Sequence, residues 1–446
     1  MQSAGPKVMH PLCGRPLLWH VLEAARVLTK KQVLVTGRGA ALLKDYFGDG
    51  YTYVEQAERL GTGHALQQVL PQLPAGGDVL VLCGDTPLLD SEVLGALLAD
   101  HRRQGAAATV LTAALGNPHG YGRVIRDERG RVQEIVEDRH LRAGQEKINE
   151  INTGCYCFAA QALHALLPRL PQNKVTGEYY LTDLLPLLKE AGHRVAAFLT
   201  VDAQSALGIN DRAQLAVAAA RMRERINRRL MLAGVTMLDP ETTYLDVDVA
   251  VGRDTVLYPH CIFEGQTVVG ENCVLGPGLH LVNTAVENDV TCRQGLVIDS
   301  SLGAGANIGP YVHIRPGSSI GAETRIGNFV EVKNSSIGKG SKVPHLSYIG
   351  DTQMEESVNM GAGSIVVNYD GRRKHLTQIE AGAFVGCNSN LIAPLKIGRG
   401  AFIAAGSTIT RDVPPGALVV ARPQEKVKKD LAKKFLKGRP KKQGEK

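Results

Sequence analysis

The chain has 446 residues, 44% hydrophobic and 21% charged, with a formal net charge of +7. That length predicts two or three domains of a soluble globular protein, and no apolar run approaches the roughly 20 residues of a membrane span. The charge sits almost wholly in one place: Pro423 to Lys446 carries ten Lys/Arg against three Asp/Glu, so the rest is neutral as a body.

Met1 to Leu18 has no apolar core of signal-peptide length. The eight Cys are scattered without CxxC pairs, and we read all of them as reduced thiols of a cytoplasmic protein. Residues 1–212 alternate apolar runs with helical stretches. QVLVTG, DVLVLCGD and AATVLTAAL read as buried strands; PLLWHVLEAARVL and SEVLGALLADHRRQ read as helices. This alternation predicts an α/β domain with a mostly parallel, helix-covered sheet. Cys155 and Cys157, in NTGCYCF, fall on one face of a strand and are not a metal pair. Residues 211–233 (DRAQLAVAAARMRERINRRLMLA) keep helical spacing with neither Pro nor Gly until Gly234, and 213–233 is taken as a linker helix.

From 234 the pattern changes. Large apolar residues recur every six positions: Val251, Leu257, Phe263, Val269, Leu275; then Leu302, Ile308, Ile314, Ile320, Ile326, Val332; then Ile379, Val385, Leu391, Ile397, Ile403, Ile409. A Gly often follows, as at Gly252, Gly270, Gly303, Gly321 and Gly386. This period marks a parallel β-helix, in which stacked coils build one core. The β-helix domain spans 234–446 and ends in the basic tail, KVKKDLAKKFLKGRPKKQGEK. That tail reads as a solvated, partly helical or disordered end; no aromatic platform or folded basic groove marks it as a nucleic-acid surface. A β-helix by itself is scaffold, so the site is sought where the repeat breaks.

Two places stand out. Asp85 follows a buried strand, where ligands of open α/β sheets bind; it is either a Mg²⁺ ligand or the cap of the next helix. QAERLGTGHA adds a Gly-Thr-Gly turn, and Gly37-Arg38-Gly39 a weaker one; no GxxxxGK phosphate loop exists. In the second half, the hexads lose register between Val332 and Ile379. His345 lies there, either a structural histidine or a base suited to neutral pH. Lys333, Tyr348, Asn359, Asn368 and Tyr369 are close in sequence.

Taken together, PKVMHPLCGRP, EQAERLGTGHA, CGDTPL, GYGRVI, IVED, EINTG, TGEYYLTD and GIND, then HLSYIGD, NMGAG and NYDG, resemble the bifunctional GlmU family over nearly the whole chain. The family makes UDP-N-acetylglucosamine by acetylating glucosamine-1-phosphate and then uridylylating N-acetylglucosamine-1-phosphate. The resemblance implies a Rossmann-like nucleotidyltransferase domain and a left-handed β-helix. It also implies a homotrimer with acetyl-CoA sites between subunits. Handedness and trimerisation come from the resemblance alone.

In the first half the resemblance implies that Lys7 neutralises phosphate and that Gln56, Gly61 and Thr62 contact uracil. Asp85 and Asn210 would hold Mg²⁺, with Gly122, Glu137 and Asn152 on the sugar side of the UTP-derived product. In the second half His345 would be the base. Arg315, Lys333, Tyr348 and Asn359 would hold glucosamine-1-phosphate. Ala362, Asn368, Tyr369, Lys374, Cys387, Ala405 and Arg422 would line acetyl-CoA. Position 387 is Cys where the family commonly has Ser, for which a modest effect and thiol-reagent sensitivity are expected.

One departure matters. The family opens with a strand and a Gly-rich loop of the form LAAGxGTRM, and this chain begins at a Met matching that loop's end. Either the start lies upstream or the chain is short. The expectation is a sheet short of a central strand and little uridylyl transfer. The alternatives are a chain active only as acetyltransferase, another sugar-1-phosphate nucleotidylyltransferase with an inert β-helix, a non-catalytic assembly protein, and nucleic-acid binding through the tail.

Overall fold

A computed structural model describes residues 1–3, 5–37 and 39–436. The chain divides into two compact units, Met1–Ile226 and Asn227–Lys446. Arg38 of the Gly37-Arg38-Gly39 turn and residues 437–446 of the tail lie outside the described residues.

The predicted elements of the first unit form where the apolar runs placed them. Helices span Leu17–Arg26 and Ser91–Gln104, and strands span Val33–Thr36, Asp78–Val81 and Ala108–Ala114. The main sheet has six strands. Its centre is the long strand Glu150–Ala159, which pairs antiparallel with Ala108–Ala114 on one edge and with Asp78–Val81 and Arg123 on the other. Val195–Leu199 extends the sheet in parallel beyond Ala108–Ala114. Asp78–Val81, Ala108–Ala114, Arg123–Arg126 and Val195–Leu199 therefore share one direction, while Val132–Val136 and Glu150–Ala159 run against them. Four strands share a direction, yet only the pairing of Val195–Leu199 with Ala108–Ala114 is parallel; the other four pairings are antiparallel, three of them made by Glu150–Ala159.

Val33–Thr36 and Thr52–Glu55 form a separate two-stranded parallel sheet. Asp78–Val81 is only half-buried along its length, whereas the first six residues of Ala108–Ala114 are fully buried. Cys155 and Cys157 share one apolar cluster with Leu111, and all eight Cys are free.

Helix Arg212–Leu232 leads into the second unit. There, three parallel sheets of 11, 10 and 9 strands stack. Each strand pairs with the third strand on, so every coil supplies one strand to each face. Leu257 stands on Leu275, Cys292, Ile308 and Ile326 in succession. Of the hexad residues named above, all but Val251 are buried.

The coils do not stop at Val332. They continue at 17 residues per turn, where the coils just before use 18 and the coils before those 16 or 17. Asn334, Leu346 and Asp351 turn their corners at φ 47°, 49° and 48°. Dropping one residue at a corner preserves the stack but shifts the hexad count, which explains the apparent loss of register. The single excursion follows Val367, which pairs with Ile392 in the next coil; it runs from 368 to 376.

Among the described residues, no helix is long and apolar enough to cross a membrane.

Candidate functional sites

In the first unit, Lys7 opens the short 3-10 turn Lys7–Met9. Its ammonium donates to a carboxylate oxygen of Asp85 and to Asn210 Oδ1, the latter at 2.9 Å. The backbone carbonyl of Asp85 accepts from Ile209 at 2.9 Å, which pins the GIND segment beside the strand end. Asp90, not Asp85, caps helix Ser91–Gln104, accepting from the Val93 N–H at 2.9 Å. The capping reading of Asp85 is therefore excluded. Its carboxylate is turned instead to Lys7 and to Tyr121, whose hydroxyl pKa is raised by burial and then by the Asp85 charge.

Gln56 donates from Nε2 to the Gly61 carbonyl at 3.0 Å and lies 3.1 Å from His64 Nδ1. Gly61 has φ 95°, and a Cβ there would stand 2.6 Å from the Tyr179 carbonyl, so only Gly fits. Thr62 Oγ1 accepts from the Leu181 N–H at 3.1 Å. The Gly-Thr-Gly turn is thus seated on TGEYYLTD rather than standing free.

The Gly122 carbonyl accepts from the Asn152 N–H at 2.8 Å, and Gly122 lies against Val136, the neighbour of Glu137. Burial raises the Glu137 carboxyl pKa, with Arg139 and His140 partly offsetting it.

In the second unit, His345 pairs across adjacent coils with Asn328, Nδ1 lying 2.6 Å from Asn328 Oδ1. An amide oxygen only accepts, so Nδ1 carries the proton and Nε2 keeps its lone pair. Asn328 was not foreseen; one coil's spacing back from His345 would have found it.

Arg315 Nη1 pairs with Glu331 at 2.9 Å. Lys333 Nζ lies 3.1 Å from Asp351 Oδ2. The Lys333 pKa is raised, first by its contact with Lys374 and then, against desolvation, by Asp351. Beside that ammonium the Lys374 pKa is lowered. The Tyr348 hydroxyl lies 3.5 Å from Asn368 Nδ2; any Cβ at Gly350 would collide with it. Arg315, Lys333, Tyr348, Asn368 and Lys374 thus form one cluster. Asn359 stands apart, paired with Lys342 and Phe384 on the sheet that carries Asn328 and His345.

Four of the residues that the resemblance assigns to acetyl-CoA, Ala362, Cys387, Ala405 and Arg422, line one corner with His345. The His345 carbonyl accepts from Gly363 at 3.3 Å, Ala362 from Asn388 at 2.7 Å and Cys387 from Gly406 at 2.8 Å. Arg422 Nη1 donates to the Ala405 carbonyl at 2.6 Å. Positions 345, 362, 387, 405 and 422 therefore climb the helix one coil at a time. Cys387 is exposed there. Tyr369 bridges to Lys374 within the excursion. Asp370 braces it by accepting from the N–H groups of Arg372 and Arg373, each at 2.7 Å, and from His375. The His375 bond, followed by those N–H bonds, holds the Asp370 carboxyl at about 2.

Sequence comparison agrees with both halves. A MobA-like NTP transferase domain matches residues 1–151, and the bacterial transferase hexapeptide model (six repeats) matches residues 299–334. Bifunctional protein GlmU of Geobacillus sp. (strain WCH70) is 48% identical over 427 residues, covering 95% of this chain and 93% of that protein. The protein of the same name from Exiguobacterium sp. (strain ATCC BAA-1283 / AT1b) is 47% identical over 436 residues, covering 97% of each. With both domains present and the likeness running through nearly the whole length, the chain belongs to the bifunctional GlmU family.

Proposed function

We propose that the Asn328–His345 pair and the Lys7–Asp85–Asn210 group are the reacting centres of the two transfers by which this family makes UDP-N-acetylglucosamine. The chain is a glucosamine-1-phosphate acetyltransferase and an N-acetylglucosamine-1-phosphate uridylyltransferase. His345 carries the reading. Its Nε2 is free to accept, and it stands at the foot of the corner column that ends at Arg422.

In acetyl transfer, His345 Nε2 takes a proton from the 2-amino group of glucosamine-1-phosphate. The amine attacks the thioester carbonyl of acetyl-CoA, the C–S bond breaks and the CoA thiol leaves. Arg315 and Lys333 grip the sugar phosphate, by a planar fork and a point charge respectively. Tyr348 orients the sugar. Asn359 lies on the sheet that bears His345, so its share in orienting the sugar requires an approach from that sheet. Ala362, Cys387 and Ala405 form the track for acetyl-CoA, with Asn368 and Tyr369 at its side and Arg422 at its end.

In uridylyl transfer, a phosphate oxygen of N-acetylglucosamine-1-phosphate attacks the α-phosphorus of UTP and pyrophosphate leaves. Gln56, Gly61 and Thr62 present the uracil pocket, and Gly122, Glu137 and Asn152 the sugar pocket. The family's nucleotidyltransferase domain uses a divalent metal. Asp85 and Asn210 turn two hard oxygen donors to one point, the Lys7 ammonium. That donor set fits Mg²⁺, which keeps few protein ligands. When bound there, Mg²⁺ would neutralise phosphate charge. Lys7 adds its own positive charge to the same place. The reading also includes a homotrimer, sedimenting at three times the chain mass, in the cytoplasm.

A paired assay tests it. CoA release is followed with acetyl-CoA and glucosamine-1-phosphate, and pyrophosphate release with UTP, N-acetylglucosamine-1-phosphate and Mg²⁺. Both releases are expected. Absence of CoA release would refute the assignment of His345.

A further inference from the structure

The Lys333 cluster contains a carboxylate that the transfer itself does not need. Asp351 is 9% exposed and turns a coil corner at φ 48°. Its two oxygens take Lys333 Nζ at 3.2 and 3.1 Å, Asn334 Nδ2 at 2.7 Å and Asn368 Nδ2. Its backbone carbonyl accepts from the Thr377 N–H at 3.1 Å. Asn368 begins the 368–376 excursion and Thr377 follows its end, so one residue ties both roots of the loop that carries Lys374. That loop is the only place where a coil departs from its 17- or 18-residue course in this region.

We propose that Asp351 is a positioning residue for the sugar phosphate: it fixes Lys333 and the loop bearing Lys374 so that both ammonium groups face one phosphate. Two adjacent ammonium groups repel each other. Their closeness is stable only with a carboxylate beneath them or a dianion above them. Asp351 serves the empty site; the phosphate serves the filled one. This inference rests on the acetyl-transfer reading for its substrate, though not for its charge geometry.

The test uses the full-length chain. In Asp351→Asn, the KM for glucosamine-1-phosphate is expected to rise about tenfold, the scale of a lost charge-assisted bond. The kcat should stay within about threefold and the KM for acetyl-CoA should not move. Acetylation of glucosamine lacking phosphate should match the unsubstituted chain. Asp351→Glu, which keeps the carboxylate, should recover part of the loss. Should Asp351→Asn unfold, Lys374→Ala stands in, because its side chain is outside the coil core. It is expected to raise the same KM, and an unchanged KM for glucosamine-1-phosphate would overturn the inference.

Binding of inorganic phosphate, read by calorimetry, separates the two ideas. If the unsubstituted chain binds phosphate but never acetylates glucosamine-1-phosphate, the acetyl-transfer reading fails and the inference stands when Asp351→Asn weakens that binding about tenfold. Equal phosphate affinity in both proteins overturns the inference. So does an equal loss with phosphorylated and unphosphorylated sugar.

Discussion

In the proposed acetyl transfer, His345 depends on a neighbour one coil away. Asn328 decides which ring nitrogen bears the proton, so the two residues act as a pair. His345→Ala is expected to cut the rate of CoA release by about 10²–10⁴-fold, the span of general-base catalysis. Asn328→Ala should keep the base but lose its orientation, with a smaller fall in kcat and little change in either KM. Equal effects of the two would deny the pairing. Glu137 offers a different residue-scale test. Burial raises its folded pKa above the usual carboxylate range. The folded chain therefore holds that proton more tightly than the unfolded chain. The resulting stability is full at low pH and is lost as pH rises through the raised value. At pH 7 the ionised, half-buried group is a cost. Glu137→Gln should raise the melting temperature of the first unit at pH 7 by a few degrees (about 1–3 °C), while weakening sugar binding. No gain at pH 7, or an equal gain at pH 4, would contradict this.

At the scale of elements, the coil is the unit of construction, and glycines where coils touch are its tightest joints. A Cβ at Gly327 would run into the Pro344 carbonyl of the next coil. Gly327→Ala is expected to destabilise the second unit by about 1–3 kcal/mol, seen as a lower melting temperature with a lower CoA-release half-life on heating. The hexads made this architecture legible, because each inward residue lies above its counterpart. What they concealed was the 17-residue coil. A missing corner residue looks like a broken repeat in sequence, although the stack runs on. Likewise, the apolar runs located Asp78–Val81 and Ala108–Ala114, but no local pattern shows that Glu150–Ala159 runs against both. Strand direction is fixed by how the chain returns, not by the composition of the strand.

At the scale of the molecule, the two compact units make each activity separable. Gly61→Ala, which forces a side chain against Tyr179, should abolish pyrophosphate release and leave CoA release intact. His345→Ala should do the reverse. If either substitution silenced both releases, the division would not hold for function. The motifs named the residues of both proposed sites, and the structure brings Lys7, Asp85 and Asn210 together. The helpers were not named: Asn328 lies outside the quoted motifs, and Asp351 ends HLSYIGD without a chemistry of its own. Such residues act through others, and only their contacts reveal them.

The corner column also sets a length. From His345 to Arg422 the chain rises through four coils, each about 4.8 Å high, or about 19 Å in all. With acetyl-CoA laid along the column as proposed, the stack would be a ruler, measuring the acyl carrier's arm in whole coils. Excising a single coil from the middle is expected to shorten that measure by a quarter, so that in the proposed site the thioester would overshoot the base.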